Sequence, residues 1–413
     1  MLREAEATVE TTLRRSYGKL IAFLTARSGD VAGAEDALSD AFAAALVTWR
    51  TQGIPENPEA WLLTAARRKH IDTVRRQGTT KAAAAPLALL AEERSATDEP
   101  SIPDNRLALM FVCAHPAIDP AVRTPLMLQT ILGFDAATIA SAFLTSPAAM
   151  SQRLVRAKAK IQAARIPFRV PEAPELSDRL PPVLNAIYAV FAAGWGYPAE
   201  AATDSRSLGA EGLWLARLLA ALLPEEPEAL GLLALMLFVE ARRTARRDAD
   251  GRYVPLTEQD PDRWDARQTD EAESLLQRAS RKGRVGRFQL EAAIQSAHAV
   301  RRHTGGVDWP AIGHLYDHLV ALTGSPVAAI NRAIAVAEIR GPAAGLSALD
   351  KVAADPRVSG YQPYWAARAA LLGRAGDGAA AQAAYRQAIA LEIDPAVRSF
   401  LRQRCSETTG TRA

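Results

Sequence analysis

The amino-acid sequence predicts an all-α protein built from several helical domains. At 413 residues the chain is long enough for about two to four domains with sizeable cores. Its apolar content is 49%, with alanine and leucine prominent, and aromatic residues make up only 6%. This composition favours helices over strands. Apolar residues also recur at three- and four-residue intervals in the segments described below, which is the spacing of one helix face.

Composition also indicates where such a chain would act. The only two cysteines, Cys113 and Cys405, lie far apart and offer no disulfide framework, which favours a reducing compartment. The N-terminus MLREAEATVE contains acidic residues and no apolar run, unlike a signal peptide. The longest apolar stretches, 213–223 and 229–239, fall short of the roughly 20 residues that span a bilayer. We therefore expect a cytoplasmic protein that does not associate with membranes.

Residues 5–77 predict a first domain of amphipathic helices. Its second helix covers residues 34–49 and carries Glu35, Asp36 and Asp40 on its polar side. An acidic helix face of this kind is available to bind a cationic surface.

The third helix of this domain, residues 59–76, is cationic on one side. Its sequence WLLTAARRKHIDTVRR places basic residues beside a tryptophan. Such a combination suits single-stranded or distorted nucleic acid, which offers both backbone charge and exposed bases for stacking. An ordinary solvated helix face can show the same charges. The basic residues of this cluster are Arg67, Arg68, Lys69, His70, Arg75 and Arg76.

A second candidate nucleic-acid site lies between Asp135 and Glu172, where the chain has no acidic residue. A short apolar-periodic segment, 136–144, meets a Thr-Ser-Pro turn, and the basic segment PAAMSQRLVRAKAKIQAAR follows. This order is typical of a helix-turn-helix, in which the second helix enters the major groove of DNA by its N-terminal residues.

The two faces of this unit can be assigned from helical spacing. Five apolar residues are expected to pack across the turn: Ile139, Phe143, Met150, Leu154 and Ile161. Short polar side chains, followed by Gln and Arg that suit bidentate contacts with bases, are expected to point outward. The alternative is a basic surface helix that binds nothing. The candidate DNA-binding residues are Ser146, Ser151, Gln152, Arg153, Arg156, Lys158 and Lys160.

Composition shifts divide the rest of the chain. Residues 78–103, rich in Ala, Pro and acidic residues, are typical of a linker. A compact helical unit is expected over 104–166, and the proline-rich segment 167–182 marks a second boundary. Residues 177–413 then predict a long Ala/Leu-rich helical extension.

The extension contains an internal repeat. Residues 331–356 and 368–395 each have an Ala-rich helix, a glycine turn, a second helix and a closing Asp-Pro. The turn glycines, Gly341 and Gly376, lie 35 residues apart, close to the tetratricopeptide (TPR) period of about 34. The pattern predicts a TPR-like array, which could bind a protein partner.

No pattern in the chain predicts an enzyme, a metal or a cofactor. His314 and His318 lie in HLYDH, which lacks the glutamate of the HExxH zinc motif. Cys113 and His115 alone are too few for a zinc site, so core packing is the better interpretation of Cys113. Walker loops, dinucleotide fingerprints and nucleophile elbows are absent from the sequence.

Three blocks together resemble an extracytoplasmic-function (ECF) sigma factor of RNA polymerase, in the sigma-70 superfamily. They are AEDALSDAFAAALVTWR (34–50), NPEAWLLTAARRKHIDTVRR (57–76) and the helix-turn-helix at 123–163, in matching order and spacing. Further segments, including NRLALMFVCAHPAI (105–118) and SPVAAINRAIAVAE (325–338), resemble the ECF group with a long C-terminal extension. The resemblance covers nearly the whole chain.

The resemblance implies a role for each part. Residues 5–77 would be sigma region 2, with Glu35, Asp36 and Asp40 docking on the clamp of the polymerase largest subunit. Residues 104–166 would be region 4, a winged-helix-like helix-turn-helix that contacts the polymerase flap region and reads the promoter −35 element through the DNA-binding residues given above. The extension would regulate activity. The residues expected to bind the melted −10 element are Asn57, Trp61, Arg67, Arg68, Lys69, His70, Arg75 and Arg76.

The chain departs from the ECF pattern at two places. Ser39-Asp40 stands where many relatives have Gln-Glu, and Cys113-Ala114 where relatives with the extension often have two cysteines. The second departure argues against a redox or metal switch at Cys113. Two other functions remain open: a helix-turn-helix regulator that never binds core polymerase, and a TPR scaffold for protein interactions.

Overall fold

The fold of the chain is all-α. A computed structural model describes residues 2–76, 104–143, 145–193 and 202–410, so the expected linker at 78–103 lies outside the described residues. These ranges contain 19 α-helices, short 3₁₀ turns, one isolated bridge between Arg247 and Tyr253, and no strand. The all-α prediction is confirmed. Among the described residues, no helix combines the length and apolar character needed to cross a membrane.

The chain forms two compact units, residues 1–186 and 187–413. The first unit begins with three helices that correspond to the expected first domain. Four further helices follow, and the eighth helix begins in the first unit and ends in the second. Its helices are α1 Leu2–Ser28, α2 Val31–Gln52, α3 Pro58–Arg76, α4 Arg106–Cys113, α5 Pro120–Leu132, α6 Ala136–Ala142, α7 Pro147–Ala163 and α8 Ala173–Ala193.

Side-chain caps explain where several of these helices begin. The carboxylate of Asp30 accepts a hydrogen bond from the backbone N–H of Gly33 at the start of α2. The side chain of Asn57 does the same for Ala60, at 3.1 Å, at the start of α3. Each cap satisfies an amide that the first helical turn leaves without a backbone acceptor.

Helices α1 and α5 pack unusually closely at Gly18. A Cβ atom at this position would lie 2.9 Å from the carbonyl carbon of Ile131 and closer still to its oxygen. Only glycine therefore allows the two backbones this approach. Beside it, Tyr17 packs over Gly133, which ends α5 in the left-handed conformation at φ 69°. The first helix of the expected region 2 is thus in direct contact with the expected region 4.

The proline-rich segment 167–182 does not separate two units, contrary to the boundary expected there. Helix α8 begins at Ala173 and continues through Pro181 and Pro182. The fully buried Arg179 donates a hydrogen bond of 2.6 Å to the carbonyl oxygen of Phe111 in α4. Burial of Leu180, Val183 and Leu184, together with this bond, holds the first half of α8 in the first unit. Proline content alone therefore misplaced the boundary.

The second unit is a succession of helices that pack chiefly on their neighbours in the chain. Helix α10 is buried almost throughout and forms the centre against which its neighbours pack. The helices are α9 Ala202–Leu222, α10 Pro227–Ala241, α11 Ala266–Ser280, α12 Arg287–Ala299, α13 Arg301–Thr304, α14 Trp309–Thr323, α15 Pro326–Arg340, α16 Pro342–Val352, α17 Gln362–Arg374, α18 Gly378–Leu391 and α19 Pro395–Gly410.

Both repeats identified in the sequence form helical hairpins. Gly341 and Gly376 adopt φ values of 89° and 87°, which permit the turns between α15 and α16 and between α17 and α18. Within the first hairpin, a Cβ on Gly345 would lie 2.5 Å from the Cβ of Ala337. In the second, buried alanines surround Tyr385. Small residues thus let the paired helices approach while one tyrosine fills the remaining space.

Replacement of Gly18 by alanine is expected to destabilise the protein. Alanine normally favours a helix over glycine by about 1 kcal/mol, but here the added methyl group would collide with the backbone at Ile131. The free energy of unfolding of the full chain, measured in denaturant, should fall by about 1–3 kcal/mol.

Gly306→Ala is the matched control, because no heavy atom lies within 4 Å of its added Cβ. Its free energy of unfolding should change by less than about 0.5 kcal/mol. Equal small effects for the two variants would mean that α1 and α5 do not pack as described.

Candidate nucleic-acid and polymerase interface

Helix α3 presents an exposed cationic surface beside two tryptophans. Arg68 and Lys69 are exposed. Trp61, which is partly buried, meets the ring of Trp49 from α2 edge to face, with centroids 5.5 Å apart. The half-buried Arg67 holds its guanidinium 4.8 Å from the centre of the Phe23 ring. Of these three rings only Trp61 is partly exposed beside the charges, because Trp49 and Phe23 are buried.

His70 does not lie on that cationic surface. It is buried, and a Cβ on Gly33 would lie 3.0 Å from its Cε1 atom, so the imidazole packs against α2. The expected outward position was wrong because His70 follows the buried Leu62 and Ala66 at four-residue spacing, which is the core stripe of α3. Arg75 and Arg76 lie in the last turn of α3, but their side chains fall outside the described part of the structure.

The acidic residues of α2 divide into two environments. Asp36 and Asp40 are exposed, and Asp40 makes a long ion pair of 3.8 Å with Lys69. Glu35 lies on a different side of the helix and is mostly covered. Only Asp36 and Asp40 are therefore presented to an external partner in this conformation.

Helices α6 and α7 form a short hairpin around a buried apolar stripe. The hydroxyl of Ser146 accepts a hydrogen bond of 3.3 Å from the N–H of Ala149 and caps α7. Ile139, Met150, Leu154 and Ile161 are buried, as expected from their spacing. Phe143 was expected to join them but is 41% exposed, because α6 ends at Ala142 and the ring follows its last turn.

The exposed face of α7 carries most of the residues expected to bind DNA. Ser151, Gln152, Arg153, Arg156 and Lys160 are all exposed. Arg156 donates a hydrogen bond of 3.3 Å to the amide oxygen of Gln152, which aligns the two side chains along the helix.

Sequence reasoning missed one residue on this face. Val155 is 60% exposed and lies between polar neighbours. An exposed β-branched side chain in a basic helix can contact the methyl group of thymine. The signal was available, because Val155 falls outside the stripe formed by Met150, Leu154, Ala157 and Ile161.

Lys158 is the exception among the basic residues of α7. Its ammonium group forms an ion pair with the carboxylate of Glu35 in α2, and the two side chains are only 11% and 13% exposed. Burial raises the pKa of Glu35, and the neighbouring Lys158 opposes that rise. A residue expected to bind DNA and one expected to bind polymerase are thus paired with each other. Neither is available to an external partner while α7 packs on α2.

Cys113 is a core residue. Its thiol is fully buried, 3.7 Å from the hydroxyl of Thr130, and burial raises its pKa to about 12. Across the described ranges, no group of three or more His, Cys, Asp or Glu residues is arranged to hold a metal ion.

Comparison with known proteins agrees with this arrangement of α1–α3. Residues 12–80 match the family described as Sigma-70 region 2. This match supports a sigma-70 family member with a role in transcription initiation, and region 2 implies binding to core RNA polymerase and promoter DNA. Residues 179–280 match a family of unknown function, DUF6596.

The similarity to one relative extends over most of the chain. A protein of Rhizobium meliloti (strain 1021), described as uncharacterized, is 38% identical over 376 residues, which cover 89% of this chain and 88% of the relative. The chain belongs to the family of that protein. No solved structure gave a significant match.

The buried Glu35–Lys158 pair should be energetically coupled. Glu35→Gln and Lys158→Met, made singly and together, should give a coupling free energy of unfolding of about 1–3 kcal/mol, because each single change leaves its partner buried without a counter-charge. Denaturant unfolding of the four proteins measures this quantity.

The exposed Lys69–Asp40 pair provides the control within the same unit. Asp40→Asn and Lys69→Met should couple by less than about 0.5 kcal/mol, since solvent screens this pair. Equal coupling at the two pairs would show that α7 does not cover Glu35 in solution.

Proposed function

We propose that the chain is a sigma factor that directs core RNA polymerase to specific promoters and opens the −10 element there. The observation that carries this proposal is the Sigma-70 region 2 match at residues 12–80, which coincides with the helices that expose Asp36, Asp40, Arg68 and Lys69. In this role the chain catalyses no covalent step. We expect it to act in the cytoplasm, because its proposed partner, RNA polymerase, acts there.

The exposed acids of α2 are the proposed polymerase contact. Asp36 and Asp40 lie one helical turn apart and are both exposed. Two carboxylates at this spacing complement a basic surface, as the clamp of the largest polymerase subunit would supply. Glu35 can join them only after its ion pair with Lys158 breaks.

Helix α3 is the proposed site for melted −10 DNA. Extruding a base costs a few kcal/mol, so the protein must supply both charge for the backbone and a surface for the base. Arg68 and Lys69 provide the charge, and Trp61 provides aromatic surface beside them. Asn57 caps the start of α3, so it would contribute to DNA binding by fixing the first turn of that helix.

Helix α7 is the proposed reader of the −35 element. Its N-terminal half exposes Ser151, Gln152 and Arg153, and Val155 adds an apolar contact for thymine. Lys160 and Arg156 follow along the same exposed side, where they would meet phosphates. This distribution supports the proposal, because helix-turn-helix proteins read bases with the N-terminal residues of their second helix.

Promoter binding by both helices requires the first unit to open. While Lys158 is paired with Glu35, α7 remains packed on α2. We infer that core polymerase competes for the α2 face, releases α7 and lets it reach the −35 element. The binding energy of polymerase thereby offsets the loss of the Glu35–Lys158 and Gly18 contacts.

The second unit is the proposed regulatory part. Its helical hairpins, α15–α16 and α17–α18, have the repeat length and small-residue packing expected of a TPR-like array. Such an array would dock a protein partner or act on the DNA-binding unit within the same chain.

Reconstituted transcription tests the proposed function. Purified full-length chain added to core RNA polymerase should start transcription at specific genomic sites that core alone does not use. Reversal of charge at Asp36 and Asp40 should abolish both core binding and transcription, because the clamp contact would become repulsive.

Two controls make the result decisive. Charge reversal at the exposed Asp270 of the second unit should leave transcription unchanged. A chain that ends at residue 193 reports whether the second unit changes transcript yield. Specific DNA binding without association with core would instead support a conventional helix-turn-helix regulator.

Arg153 and Lys160 should differ in how they affect DNA binding by the holoenzyme. Arg153→Ala should cost about 1–3 kcal/mol and relax the base preference at one −35 position, if its guanidinium reads a guanine. Lys160→Ala should weaken binding to all sequences alike and reduce the salt dependence. Affinity measured on a set of −35 variants at several salt concentrations separates these effects. Identical, sequence-independent losses would show that α7 lies in another orientation on DNA.

A further inference from the structure

Glu59 lies in the first turn of α3, at a position that continues the buried face of this helix. Leu62, Ala66 and His70 follow it at three- and four-residue intervals, and all three are buried. Residues at these intervals share one face of a helix. The face that packs on the rest of the first unit therefore begins with a carboxylate, whose side chain is 36% exposed.

Helix α1 supplies a partner for each oxygen of this carboxylate. The buried hydroxyl of Ser16 donates a hydrogen bond to Oε1 of Glu59, and the ammonium group of Lys19 donates one of 3.3 Å to Oε2. Ser16 and Lys19 lie three residues apart, so they share one face of α1. Both hydrogen bonds have an ionised acceptor, which makes them stronger than bonds between neutral groups. These two contacts, the Glu59 link, attach the first turn of α3 to α1.

Helix α3 meets α1 again about two turns further along. The guanidinium of Arg67 lies 4.8 Å from the centre of the buried Phe23 ring of α1. Arg67 follows Glu59 by eight residues, which is about 12 Å along a helix that rises 1.5 Å per residue. Two contacts at this separation fix the direction of α3 as well as its position. The Glu59 link is the one that holds the first turn.

The residues proposed to bind melted DNA lie on the other side of α3. A helix turns by about 100° per residue, so Trp61 and Arg68 lie about 200° and 180° around the axis from Glu59. Trp61 is partly buried and Arg68 is exposed. Rotation or tilt of the face that carries Glu59 therefore displaces the face that carries Trp61 and Arg68. A binding surface keeps its geometry only when hydrogen bonds behind it hold its helix in place.

We propose that Glu59 is a positioning residue for promoter opening, and that its link to Ser16 and Lys19 sets the orientation in which α3 receives the unpaired −10 strand. Glu59 acts through α3 and does not touch DNA, since a carboxylate repels phosphates.

The inference rests on the proposed sigma-factor function, but the two fail differently. If the unsubstituted chain unpairs no promoter, the proposed function is contradicted and the inference with it. If the unsubstituted chain unpairs a promoter and loss of the Glu59 link changes nothing, only the inference is contradicted.

Variants of the three linked residues test the proposal in the reconstituted holoenzyme. A promoter fragment carries 2-aminopurine in place of one adenine of the −10 element, and its fluorescence rises when that base leaves the stack. Glu59→Ala, Ser16→Ala and Lys19→Met should each lower the opened fraction. Glu59→Ala should lower the opening equilibrium about tenfold, because it removes both contacts. Affinities for core polymerase and for duplex −35 DNA should change by less than about twofold, because those proposed sites lie on other helices.

The same three variants separate positioning from electrostatics. Glu59→Ala removes a negative charge, Lys19→Met removes a positive charge, and Ser16→Ala changes no charge. Attraction to phosphates alone predicts that the first variant opens the promoter better, the second opens it worse and the third is unaffected. Losses in the same direction for all three follow from the orientation of α3. Effects that track the charge changes would overturn the proposal.

Glu56→Ala is the matched control, because Glu56 is exposed in the loop before α3 and its loss removes the same charge. This variant should not lower the opened fraction, and a loss equal to that of Glu59→Ala would contradict the role assigned to Glu59. Glu59→Gln keeps an oxygen that can accept from Ser16, so its opened fraction should lie between those of the unsubstituted chain and Glu59→Ala.

Circular dichroism and melting temperature show whether each variant folds. If Glu59→Ala does not fold, the result for Ser16→Ala decides, because that change removes only one hydroxyl group. Full promoter opening by a folded Ser16→Ala variant would then contradict the proposal.

Discussion

The close contact between α1 and α5 at Gly18 is the constraint on which the first unit depends. It brings the backbone of the sigma-70 region 2 helices against the helix that precedes the α6–α7 hairpin. Once that contact is made, α7 packs on α2 and Lys158 reaches Glu35. The free chain therefore covers part of its own proposed polymerase surface with its own proposed DNA-binding helix. On this proposal, binding of polymerase and release of α7 are linked events.

Helical spacing predicted most of this unit, since the apolar stripe of α7 and the exposed positions of Arg153 and Asp36 follow from local periodicity alone. The buried position of His70 was predictable too, because it continues the buried stripe of α3, but its basic residue type suggested a surface role. The Glu35–Lys158 pair was not predictable. It joins residues 123 positions apart, and only tertiary packing brings such residues together.

A similar division between what local pattern predicts and what packing adds holds elsewhere in the chain. Glycine turns and small residues predicted the α15–α16 and α17–α18 hairpins. The link from Glu59 to α1 joins residues 43 positions apart, so no motif marks it. Likewise, the proline-rich segment at 167–182 suggested a break, but Arg179 and its bond to Phe111 hold that segment in the first unit. In each case long-range contacts decided the outcome.

Photo-crosslinking of the holoenzyme on one promoter fragment tests the central claim most directly. A crosslinking amino acid at position 153 in α7 should attach to the −35 element, and one at position 68 in α3 should attach to the −10 element, both only when core polymerase is present. That result would show that one chain binds a promoter at both the −35 and the −10 element. Crosslinks from position 153 that form equally well without core, with none from position 68, would contradict the account.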